Sequence, residues 1–383
     1  MSSITIRTNE KVAEISWFCE LCGSDTQYLS VLDNERRSNF KNCSNILLTA
    51  EKLGYSNILL PTSYKVGQDV MTFAAGIAPQ TTKINLLTAI RCGELHPPML
   101  ARAIASLDHM LKGRLTINII NSELPGLQES GHLRYQRCAE TIEILKQAWT
   151  QDRIQHKGEI YQFDLPTDPV KPYQQNGGPL LYFGGTSDGA RDVCARYCDM
   201  FLMWPETEEE LLENMKDVSA RAAAYNRTLD FGLRIHVIVR ETEAEAKAYA
   251  KKLMSKFDEQ RGLELKQRSQ DAASLGVIKQ DELRGLADNE GYIEPYLWTD
   301  IGKARSGCGG AIVGNPEQVL GKLNRYMDMG IRSFILSGYP LVEESQYFAK
   351  LVLPFLPNVS MPVHQNRIPA QEPVTPLTTA VLK

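Results

Sequence analysis

In the stretch LRIHVIVR, residues 233 to 240, a guanidinium and an imidazole stand two residues apart, Arg234 and His236. Strand side chains alternate between faces, so both point the same way, while Leu233, Ile235, Val237 and Val239 make the other face wholly apolar. A buried guanidinium needs either a carboxylate or an anion that arrives from outside, because an uncompensated charge is costly to bury. The segment FILSGYP offers Ser337 and Tyr339 to the same interior, and no acid. Tyr339 stands just before Pro340, and Trp204 closes another strand-like run, DMFLMW. Arg305 lies among Gly302, Gly307, Gly309 and Gly310, where backbone freedom suits a loop that closes over an anion. A second anion site is indicated by YFGGTSDGA. Gly184 and Gly185 permit close backbone approach, and Thr186 and Ser187 open a helix whose free N–H groups and dipole favour a phosphate. The plainer alternative is a glycine turn with Ser187 as a simple N-cap.

An alternation of strands and helices supplies the frame for these groups. EISWFC precedes the helix FKNCSNILLTAEKLG, YSNILLPT precedes DVMTFAAGIA, and KINLLTAI precedes PPMLARAIASLDHMLKG. LTINII, PLLYFGG, DMFLMW and LRIHVIVR are each followed by a helical pattern, and IRSFILSGYP is preceded by one. Eight strands, each tied to a helix, predict an α/β fold, a closed (β/α)8 TIM barrel. No G-x-G-x-x-G follows the first strand, which disfavours an open dinucleotide-binding sheet. In a barrel the apolar face of residues 233–240 packs on helices, and Arg234 and His236 turn toward the axis. Residues 153–164 read as a short hairpin turning at Lys157 and Gly158. The polar stretch 259–310 reads as a lid-like insertion between strands seven and eight. One domain is expected over residues 1–360, followed by an extended, Pro-rich arm at 361–383.

A net charge of −4 over 383 residues argues against nucleic acid or an anionic membrane as partner. No run of about 18 apolar residues predicts a membrane span, and the opening MSSITIRTNEKVAEI lacks a secretory core. The expectation is a cytoplasmic protein with reduced thiols, since eight cysteines in so long a chain are no disulfide framework. Cys19 and Cys22 have C-x-x-C spacing, but Cys194 and Cys198 are the only other close pair, so no metal site is expected.

Together these segments resemble the bacterial luciferase-like flavin monooxygenases, and among them the FMNH2-dependent alkanesulfonate monooxygenases. The likeness runs through residues 15 to 365 and is carried by GYSNILLPT, PLLYFGGTSD, FGLRIHVIVRET, LW followed by GKARSG, and IRSFILSGYPLVEE. It implies a TIM barrel with an inserted lid. It implies Arg234, His236, Arg305, Tyr339 and Trp204 as active-site residues. Tyr135, Gly185, Thr186 and Ser187 would hold the FMN phosphate, and Thr88 and Asn118 would border the flavin ring. The implied activity is oxygenolytic desulfonation of an organosulfonate to an aldehyde and sulfite, using O2 and reduced FMN from a separate NAD(P)H-dependent flavin reductase. The likeness also implies a homodimer or homotetramer.

Three departures fall at the barrel mouth. ELCGSDTQYL places Cys22 where the family commonly has a histidine, TSYKVGQDV lacks a cysteine some members carry, and NSELPGLQESGHLRYQRC is a short loop. A related flavin monooxygenase that hydroxylates, or performs Baeyer–Villiger oxidation on, a non-sulfonate or carrier-bound substrate is the alternative. A flavin-binding protein without turnover is a further one.

Overall fold

The computed structural model describes residues 4–23, 25–64, 67–267, 275–304 and 307–379. β1 (Glu14–Phe18) leads to α1 (Phe40–Leu53), β2 (Asn57–Leu60) to α2 (Val70–Ile77), β3 (Asn85–Arg91) to α3 (Pro97–Met110) and β4 (Leu115–Ile120) to α4 (Gly131–Thr150). A hairpin of β5 (Arg153–Lys157) and β6 (Gln162–Pro166) intervenes, in the place the sequence indicated. The alternation resumes with β7 (Leu180–Gly184), α5 (Asp188–Tyr197), β8 (Met200–Met203), α6 (Glu208–Ala224), β9 (Asp230–Val239) and α7 (Glu243–Met254). Then come α8 (Glu259–Gln267), α9 (Leu275–Gly285), β10 (Tyr292–Glu294), β11 (Leu297–Trp298) and β12 (Ala311–Gly314). α10 (Pro316–Met329), β13 (Ile331–Ser337), α11 (Leu341–Leu351) and α12 (Met361–His364) complete the chain.

Local chemistry sets the helix ends. Asn39 accepts a hydrogen bond from the Asn42 N–H to start α1, and Gly54, at φ +91°, ends it in the left-handed region. Thr207 with Glu210, and Thr242 with Glu245, form reciprocal capping boxes that open α6 and α7. α6 and α7 thus begin within a few residues of the ends of β8 and β9.

β1, β2, β3, β4, β7, β8, β9 and β13 pair in parallel and close into a ring, as the alternation predicts for a TIM barrel. Aligned residues of neighbouring strands share a face. Ser16 aligns with Asn57 and with Ile335, Ile335 with Arg234, and Ser337 with His236. Asn57 aligns with Asn85, Leu87 with Thr116, Asn118 with Tyr182, and Leu202 with Gly232. Asn57 Nδ2 donates to Thr116 Oγ1 at 3.0 Å, and the Tyr182 hydroxyl donates to Glu14 Oε2 at 2.8 Å, so this shared face is the axial one. Leu233, Ile235, Val237 and Val239 alternate with it and meet the helices, as their apolar character requires.

The insertion is more structured than its polar composition indicates, with α8, α9 and the antiparallel β10–β11 pair. β12 is a strand the sequence reading does not contain. β9 has ten residues and β8 four, so β9 runs past its neighbour, and Ala311–Gly314 pairs in parallel with the overhanging His236–Val239. At the other end of the chain, the expected extended arm begins instead with a helical turn, because buried Met361 and Pro362 let the Gln365 N–H bond the Met361 carbonyl. It then crosses the barrel floor, where Gln365 Nε2 donates to Asp230 at 2.7 Å and Arg367 Nη2 to Asp199 at 3.1 Å.

Candidate active site

β9 and β13 bring Arg234, His236 and Ser337 together on the axial face near the C-terminal end of the barrel, the end that carries chemistry in this architecture. Arg234 and His236 are 8% and 1% exposed. The Arg234 guanidinium donates to the Ile235 and Ile335 carbonyls at 3.2 Å and to Ser337 Oγ at 2.8 Å, and lies 4.6 Å over the Phe18 ring. These neutral acceptors and the aromatic face orient the cation. Ser337 Oγ also lies 2.6 Å from His236 Nδ1. The Tyr339 ring is 5.5 Å from the His236 ring, and its carbonyl accepts from the Tyr249 hydroxyl at 3.0 Å, so the residue is anchored where β13 ends.

Trp204 follows β8 and forms the wall between the barrel and the insertion. A methyl group placed on Gly276 of α9 would meet its Cζ3 at 2.9 Å, and one on Gly307 its Cζ2 at 3.4 Å. Gln280 of α9 ties the wall to the segment that follows: it donates to the Pro205 carbonyl at 2.7 Å and accepts from the Gly309 N–H at 3.1 Å. Cys308 Sγ then reaches the Arg234 carbonyl at 3.2 Å. Arg305, expected on the closing loop, lies outside the described residues.

The residues expected at the FMN phosphate also lie near one another. Ser187 caps α5, accepting from the Ala190 N–H, and its Oγ is 2.5 Å from the hydroxyl of Tyr135 on α4. Gly189 packs so tightly on the Tyr135 ring that an added methyl would lie 2.6 Å from it. Gly185 has φ +156°, and Thr186 beside it is half-buried. The acid at the start of this helix, Asp188, is engaged by Arg221 at 2.9 Å, leaving hydroxyls and N–H groups at the helix end. This donor set fits a flavin phosphate. Asn118, expected beside the ring, is half-buried and faces the barrel axis.

Thr88 does not. It aligns with Leu60 and Ile117, whereas Leu87, Ala89 and Arg91 share the axial face, so Thr88 turns outward to the helices. Its hydroxyl is buried there with no hydrogen-bond partner. The correction is one of parity: a strand read without its register leaves the choice between faces open.

Arg91, which the sequence reading passes over, ends β3 on the axial face and is 2% exposed. β3 is four strands from β9 in either direction around the ring, so Arg91 and Arg234 stand on opposite sides of the mouth. Arg91 Nε donates to Ser122 Oγ at 2.8 Å and its Nη1 to Glu94 at 2.5 Å. The alternation that exposes Arg234 was present here too, in NLLTAIR. Burial and the nearby Glu20 push the Cys22 thiol up, against an opposing pull from Arg91, so Cys22 enters the mouth as a neutral thiol rather than as the base a histidine would be. The eight cysteines are all free thiols. Among the described residues no helix is long and apolar enough to cross a membrane, and no cluster of three His, Cys, Asp or Glu could hold a metal.

A closed barrel whose mouth carries a cation–imidazole pair on one wall and hydroxyl and N–H donors on another is built to hold anionic groups. Residues 14–333 match the luciferase-like monooxygenase family, and the chain belongs to it. It is a flavin-dependent monooxygenase. Its relatives include the sulfoquinovose monooxygenase of Agrobacterium fabrum, 54% identical with 95% of each chain covered. The sulfoquinovose monooxygenase of Novosphingobium aromaticivorans is 47% identical, covering 91% of this chain and 98% of the relative. Among solved structures, a riboflavin lyase with modified FMN and riboflavin superposes with a TM-score of 0.73 at 16% identity, covering 95% and 94% of the two chains, a likeness of fold alone.

Proposed function

We propose that this chain is the oxygenating component of a two-component system that splits the carbon–sulfur bond of an organosulfonate, releasing sulfite and an aldehyde, and that sulfoquinovose, a sugar sulfonate, is its substrate. The observation that carries this reading is the Arg234–Ser337–His236 cluster at the mouth of a barrel 54% identical, over 95% of its length, to an enzyme of that name.

The O2-activating chemistry is that of reduced FMN, delivered by a separate NAD(P)H-dependent reductase and held through its phosphate by Tyr135, Gly185, Thr186 and Ser187. Everything else is the work of the polypeptide. Arg234, oriented by two carbonyls and a hydroxyl, binds the sulfonate and stabilises negative oxygen as it develops. His236 holds a proton at the same anion. Trp204 and the insertion behind it exclude water from the mouth, which strengthens each of these interactions.

The test is sulfite release under air by purified protein with FMN, NADH and a flavin reductase, comparing sulfoquinovose with alkanesulfonates of one to ten carbons. Enzyme-dependent sulfite, greatest with sulfoquinovose, is the expected result. Release from alkanesulfonates alone would overturn the substrate, and release from none would overturn the desulfonation.

A further inference from the structure

Ser337 sits between the two groups that carry the proposed chemistry, and its own hydrogen-bonding capacity is small enough to count. We infer that Ser337 is a positioning residue that fixes His236 as the tautomer protonated at Nε2 and unprotonated at Nδ1. A serine hydroxyl has one hydrogen and two lone pairs, and a guanidinium can only donate. Arg234 Nη2, at 2.8 Å, therefore occupies a lone pair of Ser337 Oγ. The remaining contact of that oxygen is His236 Nδ1, at 2.6 Å. Among the described residues, Nδ1 is the acceptor within reach of the Ser337 hydroxyl hydrogen. Ser337 donates to it, and a neutral imidazole that accepts at Nδ1 carries its proton at Nε2.

The reverse arrangement fails on two counts. With Nδ1–H donating, Ser337 Oγ would take two donors while its own hydrogen went unplaced in a buried site, which is costly. A doubly protonated ring would add a second cation one hydroxyl away from Arg234, which like-charge repulsion disfavours. The three side chains are not free to rearrange either. His236 aligns with Ser337, and Arg234 with Ile335, in the ladder between β9 and β13, and all three are buried. The charge of Arg234 reinforces the polarity: by pulling on Ser337 Oγ it makes the hydroxyl a better donor to Nδ1. The consequence is that His236 carries a donor, and not a lone pair, at Nε2. That it serves a sulfonate rests on the function proposed above; the tautomer does not.

The measurement is the 15N spectrum of protein labelled at histidine, of which the chain has six, with the His236 signals assigned from a His236→Gln variant. At neutral pH the wild-type protein is expected to show an unprotonated Nδ1 and a protonated Nε2. Ser337→Ala is expected to abolish that pattern and give a mixture of tautomers. It should also lower kcat roughly 10- to 100-fold with KM little changed, as loss of an orienting partner typically does. Ser337→Thr, which keeps the hydroxyl, should restore both. A wild-type Nδ1 that carries the proton would overturn the assignment, as would an alanine variant with an unchanged spectrum. Should Ser337→Ala fail to fold, the wild-type spectrum decides alone. If the wild-type enzyme released no sulfite, the proposed function would fall while the tautomer stood or fell on its spectrum.

Discussion

Arg234 and Thr88 show what a single residue position can and cannot reveal. Arg234 was legible because a cation inside an otherwise apolar strand leaves only one face for it, and the register places it on the axis. Its removal should be felt in chemistry more than in folding. Arg234→Met is expected to lower kcat/KM for sulfite release at least about 100-fold, the usual scale for losing a preorganised charge partner of a developing anion, with a melting temperature close to that of the wild type. Thr88 was misplaced because a threonine suits either face of a strand, and only alignment with Leu60 and Ile117 decides. Its buried, unpartnered hydroxyl gives the opposite forecast. Thr88→Val should leave FMN affinity unchanged and stabilise the protein by about 1 kcal/mol, read by chemical denaturation.

At the scale of elements, the strands and helices were legible because their apolar periods are strong and their ends are marked by Asn39, Gly54, Thr207 and Thr242. β12 was not. AIVG is four residues after a glycine-rich run, and nothing local says that β9 overhangs β8 and leaves an edge to be filled. The insertion hangs from that edge. Gln280 fastens α9 to both Pro205 and Gly309, so one side chain holds the helix, the wall behind Trp204 and the approach to β12. Gln280→Ala should speed amide hydrogen exchange of residues 307–311 and 275–285 roughly tenfold or more, from loss of about 1.5 kcal/mol of local anchoring. Exchange confined to the wild-type rate would mean that packing alone holds the insertion.

For the whole molecule the decisive contacts are those no sequence window contains. On the floor, Asp199 meets Arg7 at 2.8 Å and Arg367 at 3.1 Å, partners 192 and 168 residues away. Burial pushes its carboxyl up, but Arg367, Arg7 and Lys146 overcome that and hold it at about 2, against an ordinary 3.8. The unfolded chain therefore binds more protons than the fold between these values. The resulting stability, about 2 kcal/mol, is complete above pH 4 and lost as pH falls toward 2. Asp25 and Asp108 run the other way: burial raises each to about 7, so the stability linked to their protonation is full below 3.8 and lost as pH rises through 7. Denaturation across this range should give a stability that rises from pH 2 to 4 and declines toward 7. Asp199→Asn should shrink the acid limb to what Glu140, also held at about 2, and other paired carboxylates contribute, and cost about 3–5 kcal/mol at neutral pH, because it strands the buried Arg367.

The floor also imposes an order of events on synthesis. Asp199 and Asp230 leave the ribosome long before Gln365 and Arg367, the groups that cover them. β1 likewise waits for β13, its neighbour across the closing seam of the ring. A nascent chain halted at residue 330 would carry every strand but β13, with an open seam and two carboxylates short of those partners. The ring becomes a sealed vessel only when nearly the last of it has been made.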